Sequence, residues 1–322
     1  MIVPSYWSEA KRRIELPSGS SLTLRRFGWS DLSEEDATRI AEERLDVACT
    51  AALAGEKVSQ RDRKVPYLGS DGVPIREEIV DRFGDHILTR NVYGALCLNT
   101  PNVLFADVDA EDLVPAGNVC LGFFFLVGVS VLLKWVMGGW YAFFIGAGLY
   151  AAYLLLLFYI RRRTFSSLPN RVRQKLAGYC EQHPNSLLRL YETPAGFRIL
   201  LMHQEMDPAG EEAQEFMKAF SSDQIYMTMC RRQACFRARV TPKPWRVGLT
   251  EHLKPRPGVW PIQKERMPDR IRWVKEYEEK IRGYAACRFL AEFGRGQACS
   301  TAQTVMELHD RLCRSGSGDP IA

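Results

Sequence analysis

The chain has 322 residues, is 46% hydrophobic and 25% charged, and carries a formal net charge of +5. That apolar content excludes a disordered chain, and the Gly (24) and Pro (17) counts exclude collagen-like or low-complexity architecture. The length allows one large or two medium domains.

The mean hydropathy of −0.19 conceals an uneven chain, because between residues 113 and 160 the one charged side chain is Lys134. Asp and Glu outnumber Lys and Arg before that block, and from 161 to 282 the balance reverses. Residues 1–13 lack the apolar core of a secretory signal, and the nine cysteines follow no regular framework, so reduced thiols are expected.

In chain order, residues 21–27 alternate like a strand. Ser33 then starts a helix to about 53, with Glu34, Glu35 and Asp36 at its positive end and Ala37, Ile40, Ala41, Leu45 and Ala48 on one stripe. Residues 60–73 are polar and turn-rich, and Pro74 before IREEIVDRF suggests a short helix. The apolar run Val103, Leu104, Phe105, Ala106 predicts a strand ending in Asp107 and Asp109.

The block 113–160 predicts a two-helix transmembrane hairpin with spans of about 117–137 and 140–160, since a span needs about 20 apolar residues. Trp135, Trp140 and Tyr141 flank the Gly138-Gly139 turn as an interfacial belt, and Arg161, Arg162 and Arg163 follow on the positive-inside face. This reading places the chain in a cytoplasmic (inner) membrane, with the lipid bilayer as partner and both termini in the cytoplasm. A buried helical hairpin is the alternative.

Beyond the block, 168–180 is helical, and 187–191 and 197–202 form two strands of a hairpin turning at Pro194-Ala195-Gly196. A helix is predicted over 211–220, a strand over 236–240, an extended loop over 254–261, a helix over 269–281 and a last strand over 285–293. The fold class expected is α+β: one cytoplasmic sheet-and-helix domain built from 1–112 and 161–293, interrupted by the hairpin, with a flexible tail over 294–322. Two small domains are the alternative.

Two constellations could carry chemistry. On a strand Asp107 and Asp109 share a face, as does Glu111 if the strand persists, and such carboxylates can hold Mg2+ or Mn2+ and leave positions for a substrate phosphate. Catalytic use of Asp107 and Asp109 stands against the plainer reading that acidic residues solvate a strand tip. The segment FRARVTPKPWR offers Arg237, Arg239, Lys243 and Arg246 for phosphate or nucleic acid, with Arg198 on the earlier hairpin. The alternative is a surface that meets anionic lipid or the acidic N-terminal half. Cys180 with His183, and Cys230 with Cys235, are better read as structural thiols than as zinc ligands, and His309 stands isolated.

The blocks KVPY at 64–67, PIREEI at 74–79, RNVYG at 90–94 and the DVD strand resemble an uncharacterised bacterial family of two-span membrane proteins. The order of features also resembles the archaeo-eukaryotic primase–polymerase superfamily, including plasmid replication primases. Asp107 and Asp109 match its paired metal ligands, YETPAGFRIL its hairpin, and RVTPKP its basic turn, although Arg198 stands where many members have His. The resemblance implies metal-dependent binding of nucleotide or nucleic acid. A non-catalytic interaction protein and a DxD-type glycosyl- or phospho-transferase remain alternatives, and catalysis itself is left open.

Overall fold

The computed structural model describes residues 3–62, 64–65, 69–70, 74–110, 127–128, 131, 134–135, 141–256, 258 and 260–322. Strands β1 (Tyr6–Glu15) and β2 (Ser21–Ser30) form an antiparallel ribbon. Helix α1 (Glu34–Leu53) lies on it, capped by the Ser33 hydroxyl, which accepts the Asp36 amide. Ala41, Leu45, Ala48 and Ala52 recur at helix spacing and close a small core with Ala10 and Leu24.

A short pair, β3 (Lys64–Val65) and β4 (Gly69–Ser70), precedes β5 (Glu78–Phe83), β6 (His86–Arg90) and β7 (Leu96–Thr100). The helix expected after Pro74 is instead the edge strand β5. Gly84, at φ +60°, turns β5 directly into β6, and that Gly-Asp turn wins over the helical reading of IREEIVDRF. β8 (Phe105–Asp109) follows as expected.

Most of the first expected span, 117–137, lies outside the described residues. Residues 140–160 do not form a separate span: α2 (Tyr141–Gln182) is one helix of 42 residues, running from the apolar stretch through the arginines at 161–163. Its far half buries Leu168, Val172 and Leu176, four apart on one face, in the protein core. Among the described residues no helix is long and apolar enough to cross a membrane. That finding overturns the transmembrane hairpin, and with it the inner-membrane placement with cytoplasmic termini. In the first half of α2, Phe144, Leu149, Leu155 and Phe158 are exposed.

After α2 come β9 (Leu187–Thr193), β10 (Gly196–Leu201), α3 (Glu211–Ala219), α4 (Gln224–Gln233), β11 (Phe236–Arg239), α5 (Met267–Lys280), β12 (Arg288–Gly294) and α6 (Ser300–Cys313). Two four-stranded antiparallel sheets result, in the orders β12-β9-β10-β8 and β11-β7-β6-β5. Each joins strands from before and after the apolar block: β8 pairs with β10, and β7 with β11. The architecture is α+β. The main core runs through both sheets and takes in Leu88, Leu98, Phe105, Leu190, Leu200 and Phe236.

The segment from Gly294, expected to be a loose tail, instead forms α6. Ala302, Val305, Leu308 and Cys313 on this helix are buried in the main core. Their helical spacing is what draws the C-terminal segment into the fold.

Candidate functional site

The site gathers where β8, β10 and the chain after β11 meet. Along β8, Ala106 and Val108 are buried on one face, and Asp107 and Asp109 share the other face with Phe105, which is itself buried, as period-two alternation requires. Register places Arg198 of β10 opposite Asp107, and Gly196 opposite Asp109. A Cβ on Gly196 would lie 2.1 Å from the Val108 carbonyl oxygen, so only glycine lets β10 approach β8 here.

Arg198 is 2% exposed and forks onto Asp107: Nε donates to Oδ1 at 2.7 Å and Nη2 to Oδ2 at 3.3 Å. Burial works against its charge, and the Asp107 carboxylate more than offsets this, leaving the guanidinium pKa above its ordinary value. The third nitrogen, Nη1, donates to the Arg239 carbonyl at 2.9 Å, tying the end of β11 to the β8–β10 pair.

Arg239 leads into Thr241-Pro242-Lys243 and a 3-10 turn, Pro244–Val247. This turn is anchored from α5, where the Tyr277 hydroxyl donates to the Pro242 carbonyl at 2.6 Å and lies 2.8 Å from Thr241 Oγ1. Burial lowers the Lys243 pKa, Arg239 and Arg246 lower it further, and Asp109 and Asp107 act in the opposite sense. Arg246 is likewise lowered by burial and by Arg239, with Asp109 opposing. Its Nη1 is buried without a hydrogen-bond partner. The Lys243 ammonium sits 5.3 Å from the ring centroid of Trp245, which is half exposed and meets Tyr93 edge-on at 5.4 Å.

Of the residues singled out from sequence, Asp107, Asp109, Arg198, Arg239, Lys243 and Arg246 converge. Arg237 does not join them; its guanidinium pairs with the carboxylate of Glu77. Glu111 lies outside the described residues. Among the described residues, no third carboxylate, histidine or cysteine completes a metal-ligand group with Asp107 and Asp109.

No family model, curated protein or solved structure matches this chain. Neither the two-span membrane family nor the primase–polymerase superfamily therefore stands as its family. The physical reason is that the shared features are short: a DxD strand end, a hairpin and a Pro-flanked turn are local solutions open to many folds.

Cys180 and His183 are not gathered with Cys230 and Cys235. His183 stacks on Tyr179 at 4.1 Å, and Cys230 lies on the buried face of α4, where burial raises its thiol pKa. A different group was missed. Cys287, His309 and Cys313 are all buried, and their ligand atoms lie within 4.8 Å of one another. The spacing of His309 and Cys313, one helical turn apart, was the available signal; Cys287 is distant in sequence and is brought in by the fold alone.

Proposed function

We propose that the protein binds a nucleotide at the Lys243 turn, with Mg2+ or Mn2+ held at Asp109 beside Asp107. The observation that carries this reading is the crowding of Arg239, Lys243 and Arg246 beside two carboxylates, with a buried Arg246 nitrogen that lacks a partner. Burial and then the neighbouring cations lower the pKa values of Lys243 and Arg246, and an incoming phosphate relieves that repulsion. Guanidinium groups suit phosphate oxygens by geometry as well as charge.

Trp245 and Tyr93 supply an exposed aromatic surface next to the cations, which favours a ligand with a base over bare phosphate. Magnesium is commonly held by one or two carboxylates together with substrate phosphates, so two aspartates are a sufficient protein contribution. Asp107 accepts Arg198 through both oxygens and keeps further lone pairs for a cation shared with Asp109.

Calorimetric titration with ATP, with and without Mg2+, tests this. Binding should strengthen with Mg2+, Asp109→Asn should abolish that dependence, and Lys243→Ala with Arg246→Ala should weaken binding at least about tenfold, the loss of one or two charge-assisted contacts. A wild-type chain that binds no nucleotide, or binds it equally without the cation, overturns the reading.

A second reading, association with a protein partner, rests on the exposed Phe144, Leu149, Leu155 and Phe158 of α2. A photo-crosslinker at position 155 that yields no discrete adduct in cells removes it.

A further inference from the structure

We propose that Cys287, His309 and Cys313 bind a zinc ion that fastens α6 to the β12-β9-β10-β8 sheet. The three side chains supply two sulfurs and one imidazole nitrogen, donor types that zinc takes. His309 and Cys313 stand one helical turn apart on the same face of α6, and Cys287 lies just before β12, so the ligands come from two elements that must be held together.

The dimensions fit. With Zn–S near 2.3 Å and Zn–N near 2.0–2.1 Å, tetrahedral coordination needs sulfur and nitrogen about 3.5 Å apart. Cys287 Sγ lies 3.9 Å from His309 Nε2. For that pair a shift of a few tenths of an ångström suffices, and with all ligand atoms within 4.8 Å of one another small side-chain rotations would close the site.

The surroundings point the same way. His309 Nδ1 lies 3.0 Å from Asp310 Oδ1, which fixes the ring and leaves Nε2 toward the sulfurs. Asp310 is held in turn by Arg189 Nη2 at 3.1 Å, and Arg189 Nε donates to the Tyr191 hydroxyl at 3.0 Å. A carboxylate behind the ligating imidazole, itself anchored, is the outer arrangement that zinc-binding histidines use.

Charge is accommodated as well. Two thiolates match the dication, and Arg198, whose Nη1 is 3.3 Å from His309 Nε2, is already matched by Asp107. On metal binding that Nη1 gives up the imidazole and keeps the Arg239 carbonyl. Three protein ligands leave one position for water, and a cleft of about 280 Å³ lined by Pro242, Glu278, Cys313 and Arg314 reaches Cys313 from outside.

Metal analysis of the wild-type chain, purified without added metal, should find about one zinc per chain. Cys287→Ser and Cys313→Ser should each lose it, while Cys299→Ser on the same helix keeps it. Should the cluster variants fail to fold, wild-type protein refolded with Co2+ decides the question: a thiolate-to-cobalt charge-transfer band is expected, with two sulfurs in the first shell by X-ray absorption. Absence of stoichiometric zinc together with absence of that band overturns the proposal. So does retention of zinc by either folded variant, or a Cys287–Cys313 disulfide in the purified chain.

Discussion

Asp107 pairs with Arg198 and is also a member of the proposed cation site, and a substitution cannot separate the two. Its carboxylate neutralises a guanidinium that is 2% exposed, so Asp107→Asn leaves a buried charge without its partner. Breaking a buried pair in this way costs about 3–5 kcal/mol, and denaturant unfolding should show that loss in Asp107→Asn. Loss of ligand binding in Asp107→Asn alone would therefore say little about metal, which is why the binding test rests on Asp109.

The residue scale also explains what could be read early. That Asp107 and Asp109 share a face follows from strand periodicity. That Asp107 meets Arg198 depends on the register of two strands about 90 residues apart in sequence. Cys299 offers a simpler case: it is the N-cap of α6 with no side-chain cap bond. Cys299→Ser supplies a hydroxyl acceptor there and should raise stability by about 0.5–1 kcal/mol, read as a shift in denaturation midpoint.

Among the elements, α1, α3, the β9–β10 hairpin and α5 were legible because each carries its own signal: a cap, an acidic first turn, a Pro-Gly turn, or apolar residues at helix spacing. β5 was not, because an edge strand needs little hydrophobic alternation, and its side chains are mostly intermediate or exposed. The apolar block suggested two membrane helices because composition alone cannot tell where a helix stops. α2 continues to Gln182, and its far half is held by core contacts. Leu176, fully buried on that half, should cost about 2–5 kcal/mol when changed to Ala. Gly196→Ala should press β10 off β8 and cost about 1–3 kcal/mol, with hydrogen exchange rising first at the β8–β10 amides.

At the scale of the whole molecule, the buried His86 and the half-buried His203 link stability to pH. Burial lowers the pKa of His86 and of His203, against the opposing influence of Asp85 and Glu205 on the first. His203 Nδ1 lies 3.1 Å from the Leu187 amide and 3.3 Å from the Leu187 carbonyl, and the Leu187 backbone and Glu212 oppose the downward shift without cancelling it. A folded pKa below the unfolded one means that the unfolded chain takes up protons first. This contribution is therefore complete above the unfolded value of about 6.5 and declines as pH falls through it toward the folded values. His309, whose pKa is raised against its burial by Asp310 and Cys287 beside it, acts in the opposite sense, so the test is the difference: between pH 7 and pH 5 the denaturation midpoint of the wild-type chain should fall relative to that of the double variant His86→Gln, His203→Gln.

The sequence by itself determined the α+β class, several elements and the acidic strand tip, because caps, turns and periodicity act over a few neighbouring residues. Only the tertiary structure decided that both sheets are stitched together across the apolar block, with β7 on β11 and β8 on β10. It alone brought Arg198, Lys243 and Arg246 to Asp107 and Asp109, and Cys287 to His309 and Cys313. Strand register and core burial are set by contacts between distant segments, and no local pattern encodes which distant partner a strand or helix face will find.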